Sequence, residues 1–160
     1  MALEHPILMT GGASGVGEAT AKQLLARGHK VVSLDIKPST NPDITHHHSD
    51  LSDPASIDGV VAILTGPYSS VLNVAGVPMA VGNELTMKVN YFGLRYFTEK
   101  VWDRIADGGT VVNVASIAGN NWRKRRGLLM EMMAIEDFDE GVAWWNKNEE
   151  TVGTDSYTFS

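Results

Sequence analysis

The sequence contains no cysteine, and none of its apolar runs approaches the roughly 18 residues that a membrane span requires. Without cysteine, disulfide bonds and thiolate metal sites are excluded, and a reducing compartment is favoured. Basic residues are outnumbered, with 13 Lys and Arg against 19 Asp and Glu, and the resulting net charge of −6 argues against nucleic acid as a partner. Residues 1–6 have no basic segment before an apolar run, so no export signal is predicted. We therefore expect a cytoplasmic protein that binds neither nucleic acid nor membranes.

Strand-like and helix-like patterns alternate along the chain, and 160 residues are enough for a single domain. Apolar runs predict five strands, in residues 7–9, 31–34, 44–48, 70–74 and 110–115. Three helices are predicted: one after a glycine-rich turn, one after the capping residue Asp53, and one over residues 86–106. Gly108 and Gly109 are predicted to end the third helix. Such alternation requires right-handed crossovers, so the predicted fold is a doubly wound, Rossmann-type α/β domain with parallel strands in the order 3-2-1-4-5.

A glycine-rich loop, residues 10–17, joins the first predicted strand to the first helix. Gly11, Gly15 and Gly17 let the backbone turn sharply and approach a ligand, while the helix offers free N–H groups and the positive end of its dipole. The spacing Gly-x-x-x-Gly-x-Gly differs from the commoner Gly-x-Gly-x-x-Gly fingerprint. An ordinary tight turn also uses glycines, but the position between strand and helix favours a cradle for a dinucleotide pyrophosphate.

Asp35 stands at the end of the second predicted strand, where dinucleotide-binding folds place the acidic residue that binds the adenosine ribose. A carboxylate there accepts hydrogen bonds from both ribose hydroxyls and repels a 2′-phosphate, so NAD is predicted as the cofactor. Lys37, two residues later, keeps NADP open as the less favoured alternative. The other interpretation of Asp35 is a solvated loop aspartate.

Several short motifs occur in an order that resembles the short-chain dehydrogenase/reductase family. They are Thr10-Gly11-x-x-x-Gly15-x-Gly17, Asp50-Leu51, Asn73-Val74-Ala75-Gly76, Asn90, Ser116 and Tyr157. The resemblance covers essentially the whole chain and implies that a set of residues binds the cofactor: Thr10, Gly11, Ser14, Gly15, Val16, Gly17, Asp35, Asp50, Leu51, Asn73, Val74, Ala75 and Gly76. It implies that Asp50 binds the adenine amino group and that Asn73 stabilises the central strands. The alternatives are that Asp50 caps the next helix and that Asn73 is a buried amide satisfied by backbone.

The same resemblance implies a catalytic set of Asn90, Ser116 and Tyr157. A hydride would move between nicotinamide and an alcohol or carbonyl carbon, while Tyr157 acts as general acid/base, Ser116 holds the substrate oxygen and Asn90 fixes a water. In the family motif a lysine follows the tyrosine by four residues and favours its ionisation, whereas this chain stops at Ser160, one residue earlier. We therefore expect a C-terminally truncated form with impaired catalysis and an exposed fifth strand.

Two other functions stay open on the sequence alone. One is a non-catalytic dinucleotide-binding sensor or interaction protein, because a fold does not dictate a function. The other is a sugar-nucleotide epimerase, which shares the tyrosine chemistry.

Residues 120–154, between Ser116 and Tyr157, form a longer segment than the family usually has, and they are predicted to be a helical insertion within the domain. Together with Val89-Asn90-Tyr91-Phe92-Gly93, the insertion resembles the bacterial 3α-hydroxysteroid dehydrogenase/carbonyl reductase branch, which implies a hydroxysteroid or small ketone as substrate. Its apolar side chains predict a homodimer interface: Leu129, Met132, Met133, Trp144 and Trp145. The alternatives are packing on the chain's own core, contact with a steroid-sized substrate, or a substrate lid.

Two conspicuous runs carry no functional prediction. His46-His47-His48 resembles a metal cluster, but consecutive strand residues point to opposite faces, so no metal site is predicted. The basic run Arg123-Lys124-Arg125-Arg126 is interpreted as a solvated helix end on an acidic protein.

Overall fold

The computed structural model describes residues 3–152 and 156–160, and its centre is a sheet of five parallel strands. The strands are β1 (Ile7–Thr10), β2 (Val31–Asp35), β3 (Ile44–His48), β4 (Tyr68–Asn73) and β5 (Ile105–Asn113). They lie in the order β3-β2-β1-β4-β5, and every pairing is parallel. The predicted doubly wound α/β fold and its strand order are therefore confirmed.

The described residues contain seven α-helices. These are α1 (Gly15–Ala26), α2 (Pro54–Ile63), α3 (Asn83–Met87), α4 (Leu94–Val101), α5 (Arg126–Met133), α6 (Phe138–Val152) and α7 (Ser156–Phe159). A π-helical segment, Lys88–Gly93, joins α3 to α4, and 3₁₀ segments cover Met79–Val81, Trp102–Arg104 and Ile117–Arg125. Within residues 3–152 and 156–160, no helix is both long and apolar enough to cross a membrane.

Helix α2 begins where the local sequence predicts it. Asp53 is its N-cap, and Asp53 Oδ1 accepts a hydrogen bond from the Ala55 backbone N–H at 3.0 Å. Pro54 occupies the first helical position, where a missing N–H is tolerated. The predicted apolar stripe is buried against the sheet in the main core: Ile57, Val60, Val61 and Leu64.

The junction between the long helical stretch and β5 differs from the prediction of a helix over residues 86–106. Helical structure begins at Asn83 and ends at Arg104, and β5 covers residues 105–113 instead of 110–115. Ile105 pairs with Tyr68 and Thr110 pairs with Ser70, so the register shifts between the two pairs. Gly108, at a φ of +76°, lies inside this irregular part of the strand. The glycine pair thus accommodates a bulge and does not terminate the helix.

Strand β5 forms one edge of the described sheet. Beside this edge, Val112 is 48% exposed and Val114 is 52% exposed. An edge strand presents unpaired backbone groups, so β5, like β3 at the opposite edge, is open to further pairing.

The helices after residue 125 pack on the chain itself. They form a second apolar cluster with Met87 and Phe92 of the α3–α4 stretch, to which they contribute Met132, Phe138, Val142, Trp145, Val152 and Phe159. Met132 is 1% exposed and Trp145 is fully buried, so the prediction that these two side chains form a dimer interface is wrong. The helices bury them because two amphipathic helices can cover each other's apolar faces. Residues 153 and 154 of the predicted insertion lie outside the described residues, and homodimerisation itself stays a prediction.

Candidate active site

The end of β1 is bonded to the end of β4 through one hydroxyl. Thr10 is 1% exposed, and its Oγ1 accepts hydrogen bonds from the backbone N–H groups of Val74 and Ala75, both at 3.2 Å. Gly11 follows with a φ of +74°, and a Cβ added to it would lie 2.6 Å from Ala75 N. The glycine-rich loop therefore lies against residues 74–75, and only glycine fits at position 11.

The loop closes on itself where α1 begins. A Cβ on Gly17 would lie 1.9 Å from Gly11 O, so the first turn of α1 touches the loop backbone directly. Gly15, at a φ of +54°, faces open space, with no atom within 4 Å of an added Cβ. Ser14 is the N-cap of α1 but makes no side-chain capping bond. The first-turn N–H groups therefore keep the capacity to bind an anion.

Asp35, the last residue of β2, uses both carboxylate oxygens to hold the backbone around it. Oδ2 accepts from the Ala13 N–H at 3.0 Å, and Oδ1 accepts from the Lys37 N–H at 3.0 Å. The carboxylate is half-buried and has a fixed orientation beside the glycine-rich loop. It is therefore no freely solvated loop aspartate.

Asp50 follows β3 and organises a turn. Its Oδ1 accepts from the Ser52 N–H at 2.8 Å and from Ser52 Oγ at 2.7 Å, while its own N–H donates to Ser56 Oγ at 2.9 Å. The alternative that Asp50 caps α2 is wrong, because Asp53 is the cap.

Most of the predicted cofactor-binding residues line one cavity of about 490 Å³. It is bounded by Gly11, Ser14, Gly15, Val16, Gly17, Asp35, Asp50, Leu51, Val74, Ala75 and Gly76. Thr10 and Asn73 lie behind this wall. Thr10 supports the loop, as described above, and Asn73 supports the sheet.

Asn73 is 1% exposed, and its Nδ2 donates to Thr98 Oγ1 at 2.9 Å and to Asn113 Oδ1 at 2.8 Å. These bonds connect β4 to α4 and to β5. The alternative that backbone groups satisfy the Asn73 amide does not hold for its Nδ2 donor, because both acceptors are side-chain oxygens.

Asn90 lies in the π-helical segment, and both the oxygen and the nitrogen of its side-chain amide bond to the backbone of one residue, Val77. Its Oδ1 accepts from the Val77 N–H at 2.8 Å, and its Nδ2 donates to the Val77 carbonyl at 3.0 Å. A Cβ on Gly76 would lie 3.4 Å from Asn90 Oδ1. Asn90 thus fixes the backbone that follows the Asn73-Val74-Ala75-Gly76 motif.

The three predicted catalytic residues line a second cavity, of about 710 Å³. Asn90 contributes from one side, Tyr157 from α7, and Ser116 from the N-cap of the 3₁₀ helix after β5. Ser116 Oγ accepts from the Ala118 N–H at 3.2 Å, and Tyr157 is 38% exposed. Residues 74–77 line both cavities, so the two spaces lie side by side after β4, and we refer to them together as the groove.

The helical turn that carries Tyr157 is tied to α3 and α6. Ser156 is fully buried, and its Oγ donates to Asn83 Oδ1 at 3.0 Å. Asn83 Nδ2 in turn donates to Glu149 Oε1. The position of Tyr157 therefore depends on a polar contact between three helices.

A second polar contact lies beside the first, at Glu84 on α3. Its Oε1 forms an ion pair with Lys88 Nζ at 2.7 Å, and its Oε2 accepts from Asn146 Nδ2 at 2.8 Å. The ammonium of Lys88 and then the amide of Asn146 hold the pKa of the Glu84 carboxyl below its ordinary value. Asn146 lies on α6, so this contact also joins α3 to α6.

Most of the residues that line the groove lie in a segment that matches a known family. Residues 5–127 match the family profile described as short chain dehydrogenase. The chain belongs to the short-chain dehydrogenase/reductase family.

Two relatives of this dehydrogenase-family chain are informative. A coniferyl-alcohol dehydrogenase from Pseudomonas sp. (strain HR199 / DSM 7063) is 39% identical over 143 residues, which cover 89% of this chain and 56% of that protein. The crystal structure of a 3-alpha-hydroxysteroid dehydrogenase from Pseudomonas sp. B-0831, complexed with NADH, aligns with a TM-score of 0.74 and 26% identity over 96% of this chain and 65% of that one. The chain spans about half the length of the curated relatives it matches, 56% and 39% for the first two.

The groove of this family member fits a nicotinamide dinucleotide in three respects. Gly11 and Gly17 leave no room for side chains between the loop and its supports, so the backbone itself forms the cradle. Ser14 leaves the first-turn N–H groups of α1 to an anion. Asp35 presents a fixed acceptor at the far end of the same cavity. Thr10, Gly11 and Gly17 would shape the site for such a group, and Asp35 would bind its ribose.

The sequence missed several residues that line the groove. Val77 and Pro78 extend the Asn73-Val74-Ala75-Gly76 motif, and their position directly after it was the available signal. Leu85 and Val89 reach the dinucleotide cavity from the α3–α4 stretch, and no local pattern identifies them. In the residues that the structure describes, no cluster of three or more His, Cys, Asp or Glu side chains could hold a metal ion.

Proposed function

We propose that this chain is the cofactor-binding and catalytic part of a dehydrogenase/reductase that uses NAD to interconvert alcohols and carbonyl compounds. The observation that carries the proposal is the single groove in which Asn90, Ser116 and Tyr157 line one cavity, joined along residues 74–77 to the cavity beside the glycine-rich loop. Cofactor and substrate could meet only where those cavities meet.

The preference for NAD over NADP rests on Asp35. Its carboxylate is held by Ala13 and Lys37 N–H groups and lines the dinucleotide cavity, where it can accept bonds from ribose hydroxyls and would repel a 2′-phosphate. The NADH-bound 3-alpha-hydroxysteroid dehydrogenase is a relative with the same fold.

When bound in the groove, a nicotinamide dinucleotide supplies the hydride acceptor or donor. In its ionised form Tyr157 Oη would take the proton of the substrate hydroxyl during oxidation, and the resulting neutral hydroxyl would return a proton during reduction. Ser116 Oγ already accepts the Ala118 N–H, so its own hydroxyl proton is available to the substrate oxygen. The Asn90 amide uses one N–H donor and one oxygen lone pair on Val77. Its second N–H and second lone pair can bind a water in the proton path.

The second cavity indicates a substrate with a sizeable apolar body. Its volume of about 710 Å³ lies within the range of small-molecule sites, and its wall includes Pro78, Leu94, Val114 and Ile117. Coniferyl alcohol and 3α-hydroxysteroids, named for the two relatives, are alcohols of this type, so we propose them as the first substrates to assay.

The test combines cofactor binding with turnover. Calorimetric titration with NADH measures binding, and the absorbance of newly formed NADH measures oxidation of coniferyl alcohol or a 3α-hydroxysteroid. We expect Tyr157→Phe and Ser116→Ala each to lower turnover by about 100-fold or more while leaving NADH affinity nearly unchanged. Tyr96→Phe is the matched control, since Tyr96 bonds to Asp58 away from the groove. A chain that binds no NADH would overturn the proposed cofactor site, and full turnover in Tyr157→Phe would overturn the role of Tyr157.

A further inference from the structure

A nine-residue 3₁₀ helix, Ile117–Arg125, leads out of the catalytic cavity into the basic run at residues 123–126. A 3₁₀ helix has three residues per turn, so side chains three positions apart fall into line. The helix therefore has three rows of side chains. The first includes Ser116 as N-cap, then Gly119, Trp122 and Arg125; the second Ile117, Asn120 and Arg123; the third Ala118 and Lys124.

Two of these rows border the cavity and one does not. Ser116 and Gly119 of the first row line it, and so do Ile117 and Asn120 of the second. Ala118 of the third row is absent from the lining. Arg123 thus continues a row whose two preceding members line the cavity, about 6 Å beyond Asn120 at about 2 Å per residue. Lys124, its neighbour in sequence, belongs to the row of Ala118, which does not line the cavity.

The Arg123 guanidinium is held by an aromatic ring. Its carbon lies 4.8 Å from the ring centroid of Trp122, which is itself 46% exposed. This cation–π contact orients the guanidinium while leaving its N–H donors free for an acceptor. Among residues 3–152 and 156–160, none of the four cations of the basic run forms an ion pair.

Helix stability accounts for these charges only in part, because Arg123, Lys124 and Arg125 lie in the last turn of the 3₁₀ helix, where cations are favoured, but they also precede the first turn of α5. Helix α5 begins at Arg126, and cations at a helix N-terminus oppose the helix dipole. The first turn of α5 has no acidic residue, and Arg125 supplies no side-chain cap. A local conflict of this kind, next to a candidate site, points to a ligand that relieves it.

We propose that Arg123 forms a subsite for a carboxylate at the far end of the alcohol or carbonyl substrate. The proposal deepens the proposed function and rests on it. The substrate is then a hydroxy or oxo acid whose reacting carbon lies near Ser116 and Tyr157 and whose carboxylate lies at the rim of the cavity. Five acidic residues follow closely and would repel an extended polyanion or an anionic membrane: Glu131, Glu136, Asp137, Asp139 and Glu140.

The experiment compares two probes that differ only in charge. They are 4′-(hydroxymethyl)biphenyl-4-carboxylate and its neutral primary amide, in which the two end groups are about 10 Å apart. The seven-residue rise from Ser116 to Arg123 is about 14 Å, and the arginine side chain is long enough to span the difference. Calorimetry on the 160-residue chain measures both affinities, with and without saturating NADH. We expect the carboxylate to bind about tenfold more tightly than the amide at low ionic strength, with a smaller ratio in high salt.

Matched variants assign the preference to one side chain. Arg123→Ser is expected to remove most of the preference for the carboxylate over the amide, and Arg123→Lys is expected to retain part of it. Lys124→Ser removes the same charge from an exposed neighbour and should leave the affinity ratio within about twofold. Equal binding of the two probes, no binding of either, or equal losses in Arg123→Ser and Lys124→Ser would overturn the proposal. NADH affinity distinguishes a failure of the subsite proposal from a failure of the proposed function. NADH binding without a carboxylate preference removes only the subsite, whereas an Arg123-dependent preference without NADH binding removes the proposed function.

Discussion

The carboxylate of Asp35 accepts a hydrogen bond from the backbone N–H of Ala13 at 3.0 Å, which bonds the end of β2 directly to the glycine-rich loop. The other carboxylate oxygen is held by the Lys37 N–H, also at 3.0 Å. A carboxylate bonded on both sides keeps a fixed position and cannot swing away from an approaching phosphate. We therefore expect the negative charge to discriminate between cofactors through its fixed position as well as its sign.

We predict that NADH binds more tightly than NADPH by about tenfold or more, since a 2′-phosphate would meet this fixed charge. Asp35→Ala should narrow the ratio, because alanine neither accepts the ribose hydroxyls nor repels the phosphate. Calorimetric titration with both cofactors measures the ratio. Asp43→Ala, an exposed aspartate just before β3, is the control and should leave it unchanged. Equal affinities in the unaltered chain would contradict the role of Asp35.

Alanine substitution at two glycines, Gly17 and Gly59, should change the free energy of unfolding in opposite directions. At Gly17 a Cβ would lie 1.9 Å from Gly11 O, a backbone atom that cannot move without opening the loop, so Gly17→Ala should lower the free energy of unfolding by about 1–3 kcal/mol. At Gly59, exposed in α2, a Cβ meets nothing within 4 Å, and Gly59→Ala should raise that free energy by about 0.5–1 kcal/mol. Urea denaturation measures both. A stabilised Gly17→Ala variant would show that the loop does not close as described.

The strands, their order and the loop at the end of β1 could be predicted because each depends on a contiguous pattern. Apolar runs ending in turns identify strands, and alternation with helices restricts the topology. The start of β5 could not be predicted. Gly108 and Gly109 look like a helix stop, but the strand begins at Ile105 because of its pairing with Tyr68, 37 residues away. Pairing across that separation leaves no local signal.

In the candidate site, too, some residues could be predicted from local sequence patterns and some contacts could not. Asp35 and the glycines were found because they follow strands at fixed offsets. The bond between Ser156 and Asn83 joins residues 73 positions apart, and no periodicity connects them. The sequence also could not tell Met132 from Met133, since the choice of buried neighbour depends on how α5 docks against α6.

Met132 and Met133 therefore provide a test of the packing. Met132 is 1% exposed in the second core, whereas Met133 is 53% exposed. Met132→Ala should lower the free energy of unfolding by about 2–5 kcal/mol, and Met133→Ala should change it by less than about 0.5 kcal/mol. Urea denaturation followed by tryptophan fluorescence measures both, since Trp145 lies in the same cluster. Equal effects of the two substitutions would mean that α5 docks through a different face.

The contact between Glu84 and α6 should be visible in a pH titration. Lys88 and Asn146 hold the pKa of the Glu84 carboxyl below its ordinary value of 4.5. Because the folded-state pKa is the lower one, the stabilisation is present above pH 4.5 and is lost as the pH falls through the folded-state pKa. We expect Asn146→Ala to raise the pKa of Glu84 towards its ordinary value, because the variant removes a donor to the charged form. Carbon-detected NMR of the side-chain carboxyl measures this pKa directly. Asn148→Ala is the control, since the Asn148 amide donates to the Trp144 carbonyl on the same helix. If the two variants shifted the pKa of Glu84 equally, or if neither did, the hydrogen bond from Asn146 to Glu84 would be contradicted.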